Sequence, residues 1–234
     1  MKKVMLAFIM FFIMTSASFA DSNVYITQSG ANLDLDITLD GNGNTIGAAN
    51  DRTLLTGANL DVDIDLIGAT NVITGDFIGA GEAGADDLKI SQTGSTNTTA
   101  LNVGASASVD DVKIIENRTG SSGVTSYTIG SAVTVQDVSV TVDVIGDDID
   151  IAITENSSST GTDKTTDIDI GTDSDDVDIA ITHTGAGAHK TKLLCTGSCA
   201  GSDFTMSQTG ANSTDVDLTV TNATASDVDI TITD

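Results

Sequence analysis

Proline and tryptophan are absent from this 234-residue chain, and aromatic residues amount to only 3 % of it. Phe8, Phe11, Phe12 and Phe19 all lie in the first twenty positions, which leaves Tyr25, Phe77, Tyr127 and Phe204 for the remainder. An ordinary globular core uses more rings than that, and so does the usual pocket for an organic substrate. Helix formers such as Glu, Lys, Arg and Gln are scarce, which argues against a helical fold. Cations are few as well: the net charge is −25, and such a surface repels nucleic acid and anionic lipid. No activated nucleophile stands out. Aspartate pairs on an exposed flat face lack the desolvation that would separate two carboxylates into acid and base. An enzyme and a nucleic-acid binder are therefore both disfavoured.

Long apolar runs are missing too, except at the start. Lys2 and Lys3 precede an apolar run from Val4 to Met14, and "SFA" ends at Ala20. This pattern reads as a secretory signal peptide over 1–20, followed by one repetitive domain over 21–234. The run is too short to cross a bilayer, and no later segment approaches the ~20 apolar residues a spanning helix needs.

What is present is repetition. "VYITQSGANLDLDIT" from Val24 and "FTMSQTGANSTDVDLT" from Phe204 are nearly the same phrase. Related phrases are "DLKISQTGSTNTTALNVG", "DVKIIENRTGSSGVTSYTIG" and "DVDIAITHTGAGAHKTKLLCTG". Each holds an alternating apolar run, a Thr/Ser-Gly turn and a second alternating run. Aligned starts at Leu88, Val112, Val138, Val177, Phe204 and Val228 are 24, 26, 39, 27 and 24 positions apart. In "DVDIDLIG", Val62, Ile64 and Leu66 share one face of an extended strand while Asp61, Asp63 and Asp65 share the other. A lone strand pair would bury its apolar face against nothing, whereas stacked copies share a continuous interior. The expected fold is all-β: a β-solenoid of stacked strand-turn-strand repeats, about eight coils, with two strands of roughly five residues per coil. Its narrow aliphatic core leaves no room for bulky rings.

"ITQSGAN", "ISQTGSTN" and "MSQTGAN" resemble the curlin repeat of bacterial curli fibres. Gln92, Gly94 and Asn97 match that family's spacing; Gln28, Gly30, Asn32 and Gln208, Gly210, Asn212 are one residue short of it. Residues from Val109 to Gly201 keep the alternation but lose the phrase, so the resemblance covers three coils well and the rest by period alone. It implies a secreted β-solenoid subunit that self-associates into an amyloid-like extracellular fibre or biofilm matrix at the cell surface, with a nucleator or a secretion channel as partner. Identical side-chain amides in successive rungs can bond into a ladder, and Gly supplies the positive φ of a tight corner.

Asp-apolar-Asp recurs along the chain, for example at Asp61 and Asp63, Asp215 and Asp217, and Asp227 and Asp229. Stacked carboxylates about 4.8 Å apart repel by roughly 1 kcal/mol per pair even in water. Salt is the plain remedy, and weak, non-stoichiometric calcium binding at these aspartates the sharper one. No other cofactor is expected. "GAGEAG" gives Gly79, Gly81 and Gly84 the spacing of a dinucleotide loop, but no helical pattern follows, which favours a glycine-rich corner. "DGNGNTIGAAND" sets Asp40, Asn42, Asn44 and Asp51 at calcium-loop positions, yet Thr45 replaces the required Gly, which favours a polar turn. His183, His189, Cys195 and Cys199 cluster in one segment. A Cys195–Cys199 disulfide is the favoured reading in an exported chain, with free thiols and a zinc site as alternatives. Against the fibre subunit stands a monomeric acidic surface-binding solenoid: a calcium-dependent adhesin, or an ice-binding protein with Thr ladders.

Overall fold

The computed structural model describes residues 21–29, 32–47, 53–57, 59–79, 86–104, 109–130, 135–156, 163–172, 174–185, 187–196, 199–210, 213–221 and 227–233. Regular structure among them is entirely β, in nineteen strands. In chain order these are β1 (Ser22–Val24), β2 (Thr27–Ser29), β3 (Leu33–Asp40), β4 (Gly43–Ile46), β5 (Thr53–Gly57), β6 (Leu60–Ile67), β7 (Thr70–Gly79), β8 (Asp86–Thr93), β9 (Thr96–Val103) and β10 (Val109–Thr119). There follow β11 (Ser122–Ile129), β12 (Val135–Ile145), β13 (Ile149–Asn156), β14 (Asp163–Ile170), β15 (Val177–Thr184), β16 (Ala188–Cys195), β17 (Asp203–Thr209), β18 (Ser213–Val220) and β19 (Asp227–Thr233). No helix of the described residues is long and apolar enough to cross a membrane.

All pairing is parallel, in two sheets. The first holds eleven strands, with β1, β4, β7 and the odd-numbered strands to β19 along its path and β2 and β5 beside it. The second holds eight, β3 and then the even-numbered strands from β6 to β18. The chain therefore runs along one sheet, turns a corner, runs along the other, and comes back one rung further on: a β-solenoid. Partners such as Val62, Leu88, Ile114 and Val140 follow one another every 26 residues. Period-two alternation sets which side faces in. Leu60, Val62 and Leu66 of β6 are fully buried, whereas Asp61 between them is exposed. Each such buried aliphatic side chain contributes roughly 1.5–3 kcal/mol, and together they form one core between the sheets.

Three sequence expectations need correction. Most strands have eight residues, not about five, because Thr and Ser carry the outward alternation past the apolar stretch. Phe77, Tyr127 and Phe204 are buried, so the core does accept rings. The aligned starts are also not equivalent: Leu88, Val112 and Val138 lie in the eight-stranded sheet, whereas Val177, Phe204 and Val228 lie in the other. The two strands of a coil have the same alternation and similar lengths, so a one-dimensional alignment slips half a coil with little penalty. The 39-residue step from Val138 to Val177 is where it slips.

Corners from the eight-stranded sheet are occupied by Gly41, Gly68, Gly94, Gly120 and Gly146. The amides of Gly41, Gly68, Gly94 and Gly120 donate to the carbonyl oxygens of Ile67, Thr93, Thr119 and Ile145 in the next coil, at 2.9–3.0 Å. A Cβ on Gly94 would lie 1.9 Å from the Gly68 carbonyl oxygen, and one on Gly120 would lie 2.1 Å from that of Gly94. At Gly94 the constraint is this close approach between coils, not the positive φ expected for a corner. Gly210, at the opposite corner, does have a φ of 76°.

Gly94→Ala should therefore cost about 2–3 kcal/mol or more by forcing two coils apart. The outward-facing Thr205→Ala should stay within about 0.5 kcal/mol of the parent. Chemical denaturation followed by circular dichroism compares the two.

Candidate functional site

The three matching phrases occupy two different corners. Gln92 is the last inward position of β8, Gly94 forms the corner and Asn97 is the second residue of β9. Gln28 lies in β2 and Gln208 in β17, both in the other sheet, with Asn32 (φ 61°) and Gly210 beyond them. Gly30 and Asn212 lie outside the described residues. No glutamine ladder can form from these positions. Gln92 has Leu66 and Arg118 as its column neighbours, and Gln208 has His183 and Ile232.

An amide ladder exists one position over, built of asparagines. Asn44 Nδ2 donates to Asn71 Oδ1 at 3.0 Å, and Asn71 Nδ2 to Asn97 Oδ1 at 2.9 Å. The same three Nδ2 groups donate to the carbonyls of Ile67, Thr93 and Thr119 at 3.0–3.1 Å. Asn44 and Asn71 thus tie their own coil to the next through both amide hydrogens, and Asn97 through one. Asn44, a candidate calcium ligand by spacing, is committed to this ladder; Asp51 lies outside the described residues. The ladder stops at Gly123, the next position in register, where a Cβ would meet the Arg118 guanidinium at 2.8 Å.

Two polar clusters interrupt the aliphatic interior. In the first, the Glu116 carboxylate accepts hydrogen bonds from Thr99 (3.0 Å), Thr125 (3.0 Å) and the Tyr127 hydroxyl (2.7 Å), and Arg118 Nη1 donates to Thr125 Oγ1 at 2.8 Å. Burial and the Glu116 charge push the Tyr127 phenol well above its ordinary range, and burial lowers Arg118. In the second, Glu155, His183 and Gln208 follow one another in register along β13, β15 and β17. His183 Nε2 lies 3.4 Å from Glu155 Oε2 and 3.1 Å from Thr166 Oγ1. Gln208 Nε2 lies 3.3 Å from His183 Nδ1 and donates to Thr191 Oγ1 at 3.2 Å. The His189 ring stands edge-on to that of His183, centroids 5.3 Å apart. Burial lowers Lys164, opposed by the charge of Glu155. Sequence reading missed both clusters, although parity marks them: Glu116 and Arg118 share the inward phase of Val112 and Ile114, and Glu155 that of Ile151 and Ile153.

The outer faces differ in chemistry. On the eight-stranded sheet the aspartate columns are interleaved with lysine. One runs Asp34, Asp61, Asp87, Lys113, Ser139, Thr165, Lys190, Asp215. Its neighbour runs Asp36, Asp63, Lys89, Ile115, Thr141, Asp167, Lys192, Asp217. Lys89 Nζ lies 3.1 Å from Asp63 and 3.7 Å from Asp61, and Lys192 Nζ lies 3.0 Å from Asp167. Those contacts raise the pKa of both lysines. The uniform acidic stripe read from sequence is therefore partly neutralised from within. Among the described residues no three His, Cys, Asp or Glu side chains are grouped to hold a metal. The eleven-stranded sheet presents a hydroxyl column, in which Thr128, Thr154, Thr182, Ser207 and Thr231 stack, beside a column of aspartates. Asp227 continues a column of Asp150, Asp178 and Asp203, and Asp229 follows Thr205.

The ends are open. Val228, Ile230 and Ile232 are 44, 41 and 49 % exposed, although they continue columns whose previous members, Phe204, Met206 and Gln208, are buried. At the other end Val24, Ile26, Leu33, Leu35, Ile37 and Leu39 are only partly covered. Cys195 and Cys199 form a disulfide with Cα atoms 6.4 Å apart, in the corner between β16 and β17, so zinc ligation by these thiols is set aside. Of "GAGEAG", Gly79 ends β7 and the rest lies outside the described residues.

Burial holds His183 down to about 3, so the stability tied to its neutral form is complete above its ordinary 6.5 and is lost as pH falls toward 3. Burial pushes Glu155 up to about 8, so the stability tied to its protonated form is complete below 4.5 and is lost as pH rises toward 8. Unfolding free energy measured in high salt should therefore peak in the mildly acidic range. Glu155→Gln should remove an alkaline loss on the order of a few kcal/mol. No family model matches this chain, and neither does any curated protein or solved structure, so the roles of its surfaces rest on their own chemistry.

Proposed function

We propose that this chain is a secreted structural subunit that polymerises head to tail into a curli-like, amyloid-type extracellular fibre or biofilm matrix at the cell surface. The observation that carries the reading is the last described coil, in which Val228, Ile230 and Ile232 extend buried columns into solvent. A strand edge of unpaired N–H and C=O groups is a template for another strand, and β19 and β18 end their sheets in that condition.

A second copy fits that template in register. Carrying the columns across the junction sets Val228 over Val24 and Ile230 over Ile26 in one sheet. In the other it sets Val216 over Leu35, Leu218 over Ile37 and Val220 over Leu39. The nearly identical phrases at the two ends acquire a reason in the first sheet: the segment from Val24 that β19 would meet is a near-copy of β17, the neighbour it has inside the chain. The hydroxyl column of Thr128, Thr154, Thr182, Ser207 and Thr231 favours a second reading, a monomeric solenoid binding an ordered surface such as ice.

Incubation of the purified chain lacking residues 1–20 should give thioflavin-positive fibres with reflections near ~4.7 and ~10 Å. Ile230→Lys should abolish growth yet leave the monomer's circular dichroism unchanged, because this side chain is already half in water. A persistent monomer that slows ice growth supports the second reading instead.

A further inference from the structure

Resting on that fibre reading, we infer that the head-to-tail junction is gated by charge, closed at low ionic strength and opened by screening. Register across the junction places Asp215 against Asp34 and Asp217 against Asp36 on the outer face of the eight-stranded sheet. Their strands would lie about 4.8 Å apart. Neither terminal strand, β18 or β3, carries a cation. Among the described residues of these columns the nearest are Lys190 and Lys192 one rung inside one end, and Lys89 two rungs inside the other.

Internal junctions differ. Between β14, β16 and β18 the second column alternates Asp167, Lys192, Asp217, with Lys192 bonded to Asp167 at 3.0 Å. Acidic rungs also adjoin inside the molecule, at β3 and β6, where Lys89 bridges to Asp63 and Asp61, and from Asp150 to Asp227 in the other sheet, but there the covalent chain holds them together. A free second copy has no such tether. Its approach brings four carboxylates together, with Asp61 and Asp63 directly behind two of them. Apolar columns supply the attraction at short range, while charge repels at long range and so acts mainly on the association rate. Screening shortens the repulsion from about 30 Å at ~0.01 M salt to about 3 Å at ~1 M.

The test is seeded fibre elongation at ~0.01 M and at ~1 M sodium chloride, with the chain as it stands and with Asp34→Lys/Asp36→Lys. The parent should elongate about tenfold or more faster at high salt. The doubly substituted variant sets a cation between Asp215 of one copy and Asp61 of the next, so it should elongate at low salt and be slowed by added salt. Both substituted positions are exposed on the outer face. If circular dichroism shows that this variant fails to fold, Asp215→Asn/Asp217→Asn serves instead and should weaken the salt dependence. Salt-independent elongation of the parent, with the folded variant no different, overturns the gate while leaving the fibre reading intact. Absence of elongation by either chain at every ionic strength overturns the fibre reading and the gate with it.

Discussion

Register between coils is the constraint on which everything else in this molecule depends. Each inward position has one neighbour above and one below, fixed by parallel backbone hydrogen bonds, so the chemistry of the core is decided column by column. A shift of one residue would turn every aspartate of β6 inward and Leu60, Val62, Ile64 and Leu66 outward. Two devices prevent it. The aliphatic columns resist any slip that exposes them, and the corner glycines with the Asn44–Asn71–Asn97 ladder tie coil to coil at a fixed level. The glycines act by sterics and the asparagines by hydrogen bonding, at neighbouring points of the same corner.

Stability in such a rod is close to a sum of coil terms and nearest-neighbour terms. The terms are not uniform here. Coils holding Leu60, Val62 and Leu66 have a dry aliphatic interior, whereas those holding Glu155, His183 and Lys164 keep ionisable groups out of water at a cost. Glu116 offsets part of such a cost by accepting three hydrogen bonds. The second cluster, with His183 depressed and Glu155 raised, is less well compensated. It also falls where corner glycines no longer stack and the corners lengthen, with the Cys195–Cys199 bond closing one of them. Local opening should concentrate there.

Much of the fold was legible in the sequence because period-two alternation survives in nearly every strand. Asp61 to Ile67 announces a half-buried strand without reference to anything else. The assignment of strands to sheets was not legible, since "DVKIIENRTG" and "DVDIAITHTG" differ in no property that marks one side of the coil from the other. Asn97 could be picked out by its spacing from Gly94, and the same spacing sets Asn44 after Gly41 and Asn71 after Gly68, but only the register of the coils shows that the three amides bond to one another. The lysines between the aspartates were invisible for the same reason: Lys89 and Asp63 are 26 residues apart along the chain and adjacent in space.

The stacked glycine corner also limits how a gene for such a rod can change. Because Gly68, Gly94 and Gly120 must each sit directly against the carbonyl of the coil before, length cannot drift one codon at a time within a strand. It can change in whole rungs, by unequal recombination between near-identical segments, and every product of that exchange inherits both sticky ends.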